Sequence, residues 1–469
     1  MIIRRLAAIG ALVAGLAGAA RAQAPPDPNY VRQPLFGSYA EFRGEIDRIA
    51  GVADPMARTA QLDALWSQLR AAGQVPYAQG NRAAFLYRGA ASSVSFPGDV
   101  NGWNASSSAV RATQVAGTNL WMWETTLPPD ARLDYKIVLG GSNWILDPAN
   151  PLQMWSGFGP NSELRMPDYQ YPRDTVRAAG LARGTLSPNV TLPSPQLGAS
   201  INYRVYTPAG YAAGELANLP VVYVTDGHEY AADHMGSMTA VLDNLIADGR
   251  IRPTIAVFID PRDPTTGQNR RAEHYVQNSR FAAFVADALV PAIDGEYRTD
   301  PAAAARTILG PSLGGLNSAY FGAQRPDVFG NIAVQSPASF GSFAPGLLDA
   351  YRTQPLADRL RLFVSAGTIN DGAGGRQFAA VLAERGYDFA FVESNEGHSW
   401  GQWRGVLDDM LVHLVGPAAA IPEPATAGLA GAAMASLACG RRLAACRRGG
   451  FADPDSCKPA RPLRRVRAR

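Results

Sequence analysis

The stretch RTILGPSLGGLNSAYFG, Arg306 to Gly322, decides how the rest of this sequence is read. It holds one Gly-x-Ser-x-Gly, Gly310–Pro311–Ser312–Leu313–Gly314. In a chain with 47 glycines the motif alone decides little; its flanks decide more. RTIL reads as a strand and LNSAYFGAQ as a helix, so Ser312 falls on the turn between them, at the strand's carboxyl end. Such an elbow needs small neighbours, because strand and helix approach closely around a strained residue. Gly310, Gly314 and Gly315 supply that space, and Ser312 is the expected nucleophile.

Working outward, residues 199–416 alternate between two patterns. Apolar strands INYRVYTP, PVVYVTDG, TIAVFID, NIAVQS, LRLFVSAG and DFAFVES are separated by helical runs such as SMTAVLDNLIADG, RFAAFVADALVPAIDGEY and GRQFAAVLAERG. That alternation predicts a mostly parallel sheet covered on both faces, an α/β fold with its site at the carboxyl ends of the strands.

A serine hydroxyl needs a base to take its proton. Where a Gly-x-Ser-x-Gly elbow carries the nucleophile of a hydrolase, the order along the chain is Ser, then acid, then His. Two histidines follow Ser312. His413 lies inside an apolar helical run and reads as packing, whereas His398, in ESNEGHSWGQW, falls between the last strand and the last helix and is the expected base. Asp371 is the only carboxylate in the loop after LRLFVSAG and is the expected acid, holding the imidazole tautomer; Glu393 and Glu396 are the alternatives. The oxyanion donors are expected to be the Leu313 N–H and the Gly227 or His228 N–H from VTDGHEY.

Residues 84–168 differ in character. AAFLYRG, SVSFPGD, LWMWETTL and LDYKIVLGGSNWILD are short β-rich runs between turn residues, the pattern of a small all-β sandwich. FPGDVNGWN and LDYKIVLGGSNWILDPANP resemble the immunoglobulin-like early-set modules that precede glycogen-branching and esterase domains. Some of those modules bind glucans through exposed tryptophans, which makes Trp103, Trp121, Trp123 and Trp144 the candidates here. Before this region, residues 36–72 read as helical, with Leu62, Leu65, Trp66 and Leu69 on one apolar stripe.

The net charge of +3 comes from the ends. The last thirty residues hold ten Lys/Arg against two Asp, and the first 22 hold three Arg. The middle is mildly acidic, and nothing in it suggests nucleic-acid binding. All three cysteines, Cys439, Cys446 and Cys457, lie in the tail, so disulfides and Cys-based zinc are excluded from the middle. The five histidines show no metal spacing, and no cofactor is implied.

The first 22 residues, with Arg4–Arg5, an apolar Leu6–Ala20 and Ala20–Arg21–Ala22, read as a secretory signal peptide. At the other end, Pro422–Glu423–Pro424, an apolar run and Arg441–Arg442 resemble the PEP-CTERM sorting signal, although over twenty residues follow the arginines. That resemblance implies a Gram-negative host, exosortase processing, and export to the periplasm, cell surface or extracellular matrix. Membrane contact is expected only through this tail.

VVYVTDGHEY, RRAEHYVQNSRFAAFVADALVPAIDGEY, ILGPSLGGLNSAYFGAQRPDVFG, SAGTIND and EGHSWGQWRGVLDDML resemble the esterase D and enterochelin-esterase-like group of α/β-hydrolases, which includes feruloyl esterases and antigen-85-type acyltransferases. The resemblance implies a serine carboxylesterase with Ser312 as nucleophile, His398 as base and Asp371 as acid. Pro311 departs from the group's usual small residue but fixes φ without demanding space beyond it. The substrate would be a siderophore trilactone or an acyl or feruloyl ester on a polysaccharide. Acyl transfer, or a non-catalytic glycan-binding surface protein, are the other readings. The expected layout is a signal peptide (1–22), a helical segment (23–83), the early-set sandwich (84–168), a linker (169–198), the α/β-hydrolase domain (199–416) and a sorting tail (417–469).

Overall fold

The computed structural model describes residues 27–417, so the stretches read as a signal peptide and as a PEP-CTERM-like signal lie outside the described residues. The central feature is a nine-stranded sheet. Its strands are β1 (Thr185–Leu186), β2 (Val190–Ser194), β3 (Ala199–Thr207), β4 (Val221–Val224), β5 (Ile255–Asp260), β6 (Arg306–Pro311), β7 (Asn331–Gln335), β8 (Arg361–Gly367) and β9 (Asp388–Ser394). Their order is β1–β3–β5–β4–β6–β7–β8–β9, with β2 also paired to β3. β3 runs antiparallel to β5, and every pairing from β5 to β9 is parallel. β1 and β2 arise in the stretch read as a linker, where Pro and turn residues hid two short edge strands.

The burial explains the apolar strands. Val221–Val224, Ile255–Asp260 and Asn331–Gln335 are buried throughout, as a sheet covered on both faces requires. One core, with Phe281, Phe284, Leu289, Phe321 and Phe378, covers one face, and another, with Met238, Leu242, Leu407, Met410 and Leu411, covers the other. The run expected as one helix at RFAAFVADALVPAIDGEY contains a π turn, Val285–Leu289, between Ser279–Phe284 and Val290–Glu296. Pro291 accounts for it, because proline has no N–H to give and its ring crowds the preceding turn.

The predicted helical stretch is two helices, α1 (Tyr39–Ala50) and α2 (Pro55–Ala71), broken by the Gly51 C-cap and restarted by the Asp54 N-cap and Pro55. Leu62, Leu65 and Leu69 are buried against Leu86, Leu120 and Met122 of the following β region. That region consists of antiparallel strands. Tyr77–Gln79, Arg82–Arg88, Leu120–Thr126 and Thr113–Gln114 form one sheet, and Val94–Ser95, Ile137–Leu139 and Asn143–Ile145 another. Arg132–Tyr135, Gly159–Arg165 and Gln153–Ser156 form the third. They enclose an aromatic core in which Phe85 lies 4.8 Å from both Trp123 and Tyr135, centroid to centroid. Trp121 is buried in this core and Trp123 is partly buried against it, while Trp144 is 43% exposed.

Candidate active site

The chain leaves β4, forms β5 on one side of it and then β6 on the other. The carboxyl ends of β4 and β6 are thus the point where winding reverses, and where such sheets open a crevice. Thr225–His228 follow β4 and Ser312 follows β6.

Ser312 adopts φ 59° and ψ −117°, a conformation side chains rarely take, before the helix Leu313–Gln324. Its neighbours impose it. The Ser312 N–H donates to the Gln335 carbonyl on β7 at 2.8 Å, and the Ala338 N–H donates to the Ser312 carbonyl at 3.1 Å. A Cβ on Gly314 would lie 2.7 Å from Thr225 Oγ1 and one on Gly315 2.8 Å from the Gln335 carbonyl, while one on Gly310 would collide with Thr225 Oγ1. The expected glycine requirement is therefore met by identifiable atoms.

The β4 turn abuts the elbow. Asp226, at φ 54°, is buried and receives Arg271 Nε at 2.9 Å on each carboxylate oxygen, and Arg271 Nη2 donates to the Pro311 carbonyl at 2.9 Å. A Cβ on Gly227 would collide with the backbone of Phe258 and Ile259. Leu313 and Gly227 open their helices, with His228 next, so these N–H groups have no intrahelical partner. The His228 ring is one-fifth exposed with Nδ1 3.6 Å from Asp260, and burial holds its pKa below the usual value.

Asp371 and His398 follow β8 and β9. Nδ1 of His398 is 3.2 Å from Asp371 Oδ1, and Asp371 Oδ2 accepts the Gly367 N–H at 3.0 Å. Burial alone would raise the Asp371 pKa. The hydrogen bond and charge of His398, the Gly367 N–H and the Ser336 hydroxyl outweigh it and hold the carboxyl at about 2. The His398 side chain is 41% exposed against 10% for Asp371, so the imidazole is open to an incoming molecule. The structure records no hydrogen bond between Ser312 and His398.

The alternative acids point elsewhere. Glu393 pairs with Arg376, and Glu396 lies buried beside Arg132, where burial pushes its pKa up to about 8 against the opposing charge of Arg132. The His413 imidazole contacts the Leu362 carbonyl at 3.0 Å, inside the core. Among the described residues no cluster of His, Cys, Asp or Glu is arranged to hold a metal ion. Asp226, Arg271, Ser336 and Gln335 escaped the sequence reading. The Arg-Arg before Ala272 was visible but carries no motif of its own.

A strained serine, unpaired helix-start amides and an ionised carboxylate on an accessible imidazole can carry out acyl transfer. The fold is of the esterase-like α/β-hydrolase type. The family model described as "Putative esterase" matches residues 194–414, and the chain is a carboxylic ester hydrolase. The chain is similar to the Iron(III) enterobactin esterase of Escherichia coli O6:H1, with 26% identity over 337 residues, 65% of this chain and 81% of that one. It is 27% identical over 233 residues to the endo-1,4-beta-xylanase/feruloyl esterase of Xylanibacter ruminicola, spanning 47% of this chain and 30% of that protein. The crystal structure of an enterobactin esterase from Shigella flexneri shares the fold at TM-score 0.59 and 21% identity, over 71% of this chain and 92% of that one.

Proposed function

We propose that the chain is an exported serine carboxylesterase of the enterochelin-esterase-like group, working through a Ser312–His398–Asp371 triad. The observation that carries this reading is the strained Ser312 at the winding reversal, two strands from the loop of Asp371 and three from that of His398. The Ser312 hydroxyl attacks the ester carbonyl while Nε2 of His398 takes its proton. Asp371, ionised at any working pH, holds Nδ1–H and stabilises the imidazolium. The tetrahedral oxyanion is met by the Leu313 N–H and by that of Gly227 or His228. His398 then protonates the leaving alcohol, and water, activated by the same imidazole, releases the acid. The step needs a Ser312–His398 hydrogen bond that forms with bound substrate.

The preferred substrate class is a siderophore trilactone, supported by the enterobactin-esterase relative whose match extends beyond the hydrolase region. The feruloyl-esterase relative favours a second reading, an aryl or acyl ester on a polysaccharide. The β region is proposed as an early-set, immunoglobulin-like module, and the ends as export and exosortase-sorting signals, which puts the enzyme at the Gram-negative periplasm or surface. The test is hydrolysis of p-nitrophenyl acetate, enterobactin, methyl ferulate and acetylated xylan by wild type and Ser312→Ala. Turnover of an ester that vanishes in the variant supports the reading. Equal rates in both proteins overturn it, and a faster ferulate or xylan reaction selects the second reading.

A further inference from the structure

The loop that carries His398 rests on the β region. Arg132, on the strand Arg132–Tyr135, is 1% exposed, and its partners lie on both sides of that histidine. Its backbone N–H donates to the Asn395 carbonyl at 3.1 Å, and it forms an isolated parallel bridge with Glu396. Its Nη1 donates to Ser399 Oγ at 3.1 Å and lies 3.7 Å from the Glu396 carboxyl. Nε donates to Glu163 at 2.9 Å, and Nη2 donates to Asp134. A Cβ on Gly401 would collide with the guanidinium.

A second contact comes from the FPGDVNGWN turn. Asp99 is buried, with Oδ2 accepting the Asp134 N–H at 2.9 Å, and a Cβ on Gly397 would collide with the Asp99 side chain. Asn395 Nδ2 also donates to Asp130 at 2.7 Å. From the hydrolase side the loop is held by the Ile369 N–H on the Glu396 carbonyl at 3.1 Å, by Thr368 Oγ1 on Asn395 at 2.7 Å and by Trp403 edge-on to the imidazole at 5.2 Å. Residues 395, 396, 397, 399 and 401 therefore all meet the β region, and His398 is the member left open.

We infer that Arg132 is a positioning residue for His398, and that the β region is a built part of the esterase site. This rests on the triad reading above. Arg suits the task because its planar fork binds Ser399, Asp134 and Glu163 at once, which an ammonium cannot do in this geometry. Arg132 acts through the loop, so its loss displaces the imidazole without touching substrate. A displacement of the order of 1 Å costs roughly 10²-fold in rate.

The experiment measures kcat and KM for p-nitrophenyl acetate in the full chain for Arg132→Lys and Ser399→Ala. Ser312→Ala and His398→Ala serve as controls, and thermal melts check folding. The expected result is kcat lowered by roughly 10–100-fold in Arg132→Lys and by about 3–10-fold in Ser399→Ala, with KM within about twofold. The rate at which a fluorophosphonate labels Ser312 should fall in parallel. A folded Arg132→Lys with wild-type kcat, or a change confined to KM, overturns the inference. If Arg132→Lys does not fold, Ser399→Ala decides, since it leaves every buried charge in place: unchanged kcat there overturns the inference too. Controls that keep turnover sink the triad itself. Dead controls beside fully active Arg132→Lys and Ser399→Ala sink only the positioning role.

Discussion

The elbow at Ser312 and the loop at His398 are held by different forces. At the elbow the deciding constraint is steric. Gly314 and Gly315 face atoms of the Thr225 turn and β7 across gaps that no side chain fits. The loop is polar and remote, anchored by a guanidinium 267 residues away in the chain. A steric constraint leaves a mark where it acts, because only glycine satisfies it. A polar anchor leaves an ordinary arginine in a strand.

Breaking the elbow should have the largest effect. Ser312→Gly removes the hydroxyl and relieves the backbone. Ester turnover should fall by at least ~10³-fold. Relative to Ser312→Ala, the variant should gain about 1 kcal/mol of stability in a urea titration, because φ 59° costs a non-glycine residue. Equal stability of the two variants would show that the turn is unstrained.

The loop should break more softly. Gly401→Ala sets a methyl against the buried guanidinium of Arg132. It should lower kcat about tenfold with little change in KM, measured on p-nitrophenyl acetate. Full activity would mean that the loop does not depend on its seat.

Smaller still is the pH response of that seat. Glu396 is pushed to about 8 by burial, partly opposed by Arg132 and reinforced by Glu163, Asp99 and Asp134. A carboxyl raised from its ordinary ~4.3 stabilises the fold fully below that value and loses the contribution as pH rises through about 8. The melting temperature of wild type should therefore fall between pH 5 and 9, and less so in Glu396→Gln. Parallel curves would contradict the assignment. The smallest effect is expected at Trp144, where Trp144→Ala should change stability by no more than ~0.5 kcal/mol in a urea titration.

Much of this was legible in the sequence. Strand and helix periodicity located the parallel strands from Val221 to Ser394, and the Ser–acid–His order selected Asp371 and His398, which the structure joins at 3.2 Å. The edge strands β1 and β2 were not legible, because two- and five-residue segments beside prolines carry no period. Trp121 and Trp123 matched a sugar platform as well as a core, since aromatic content does not say which way a strand faces. Arg132 and Arg271 were invisible for one reason: their partners are set by the packing of distant segments, and no local spacing encodes it.

The central claim is that Ser312 becomes acylated with His398 as its base. The most direct measurement is intact and peptide mass spectrometry after reaction with a fluorophosphonate. One adduct on the peptide containing Ser312, formed in wild type and at least ~10²-fold more slowly in His398→Ala, is the predicted result. An adduct on another residue, or equal labelling rates in the two proteins, would contradict it.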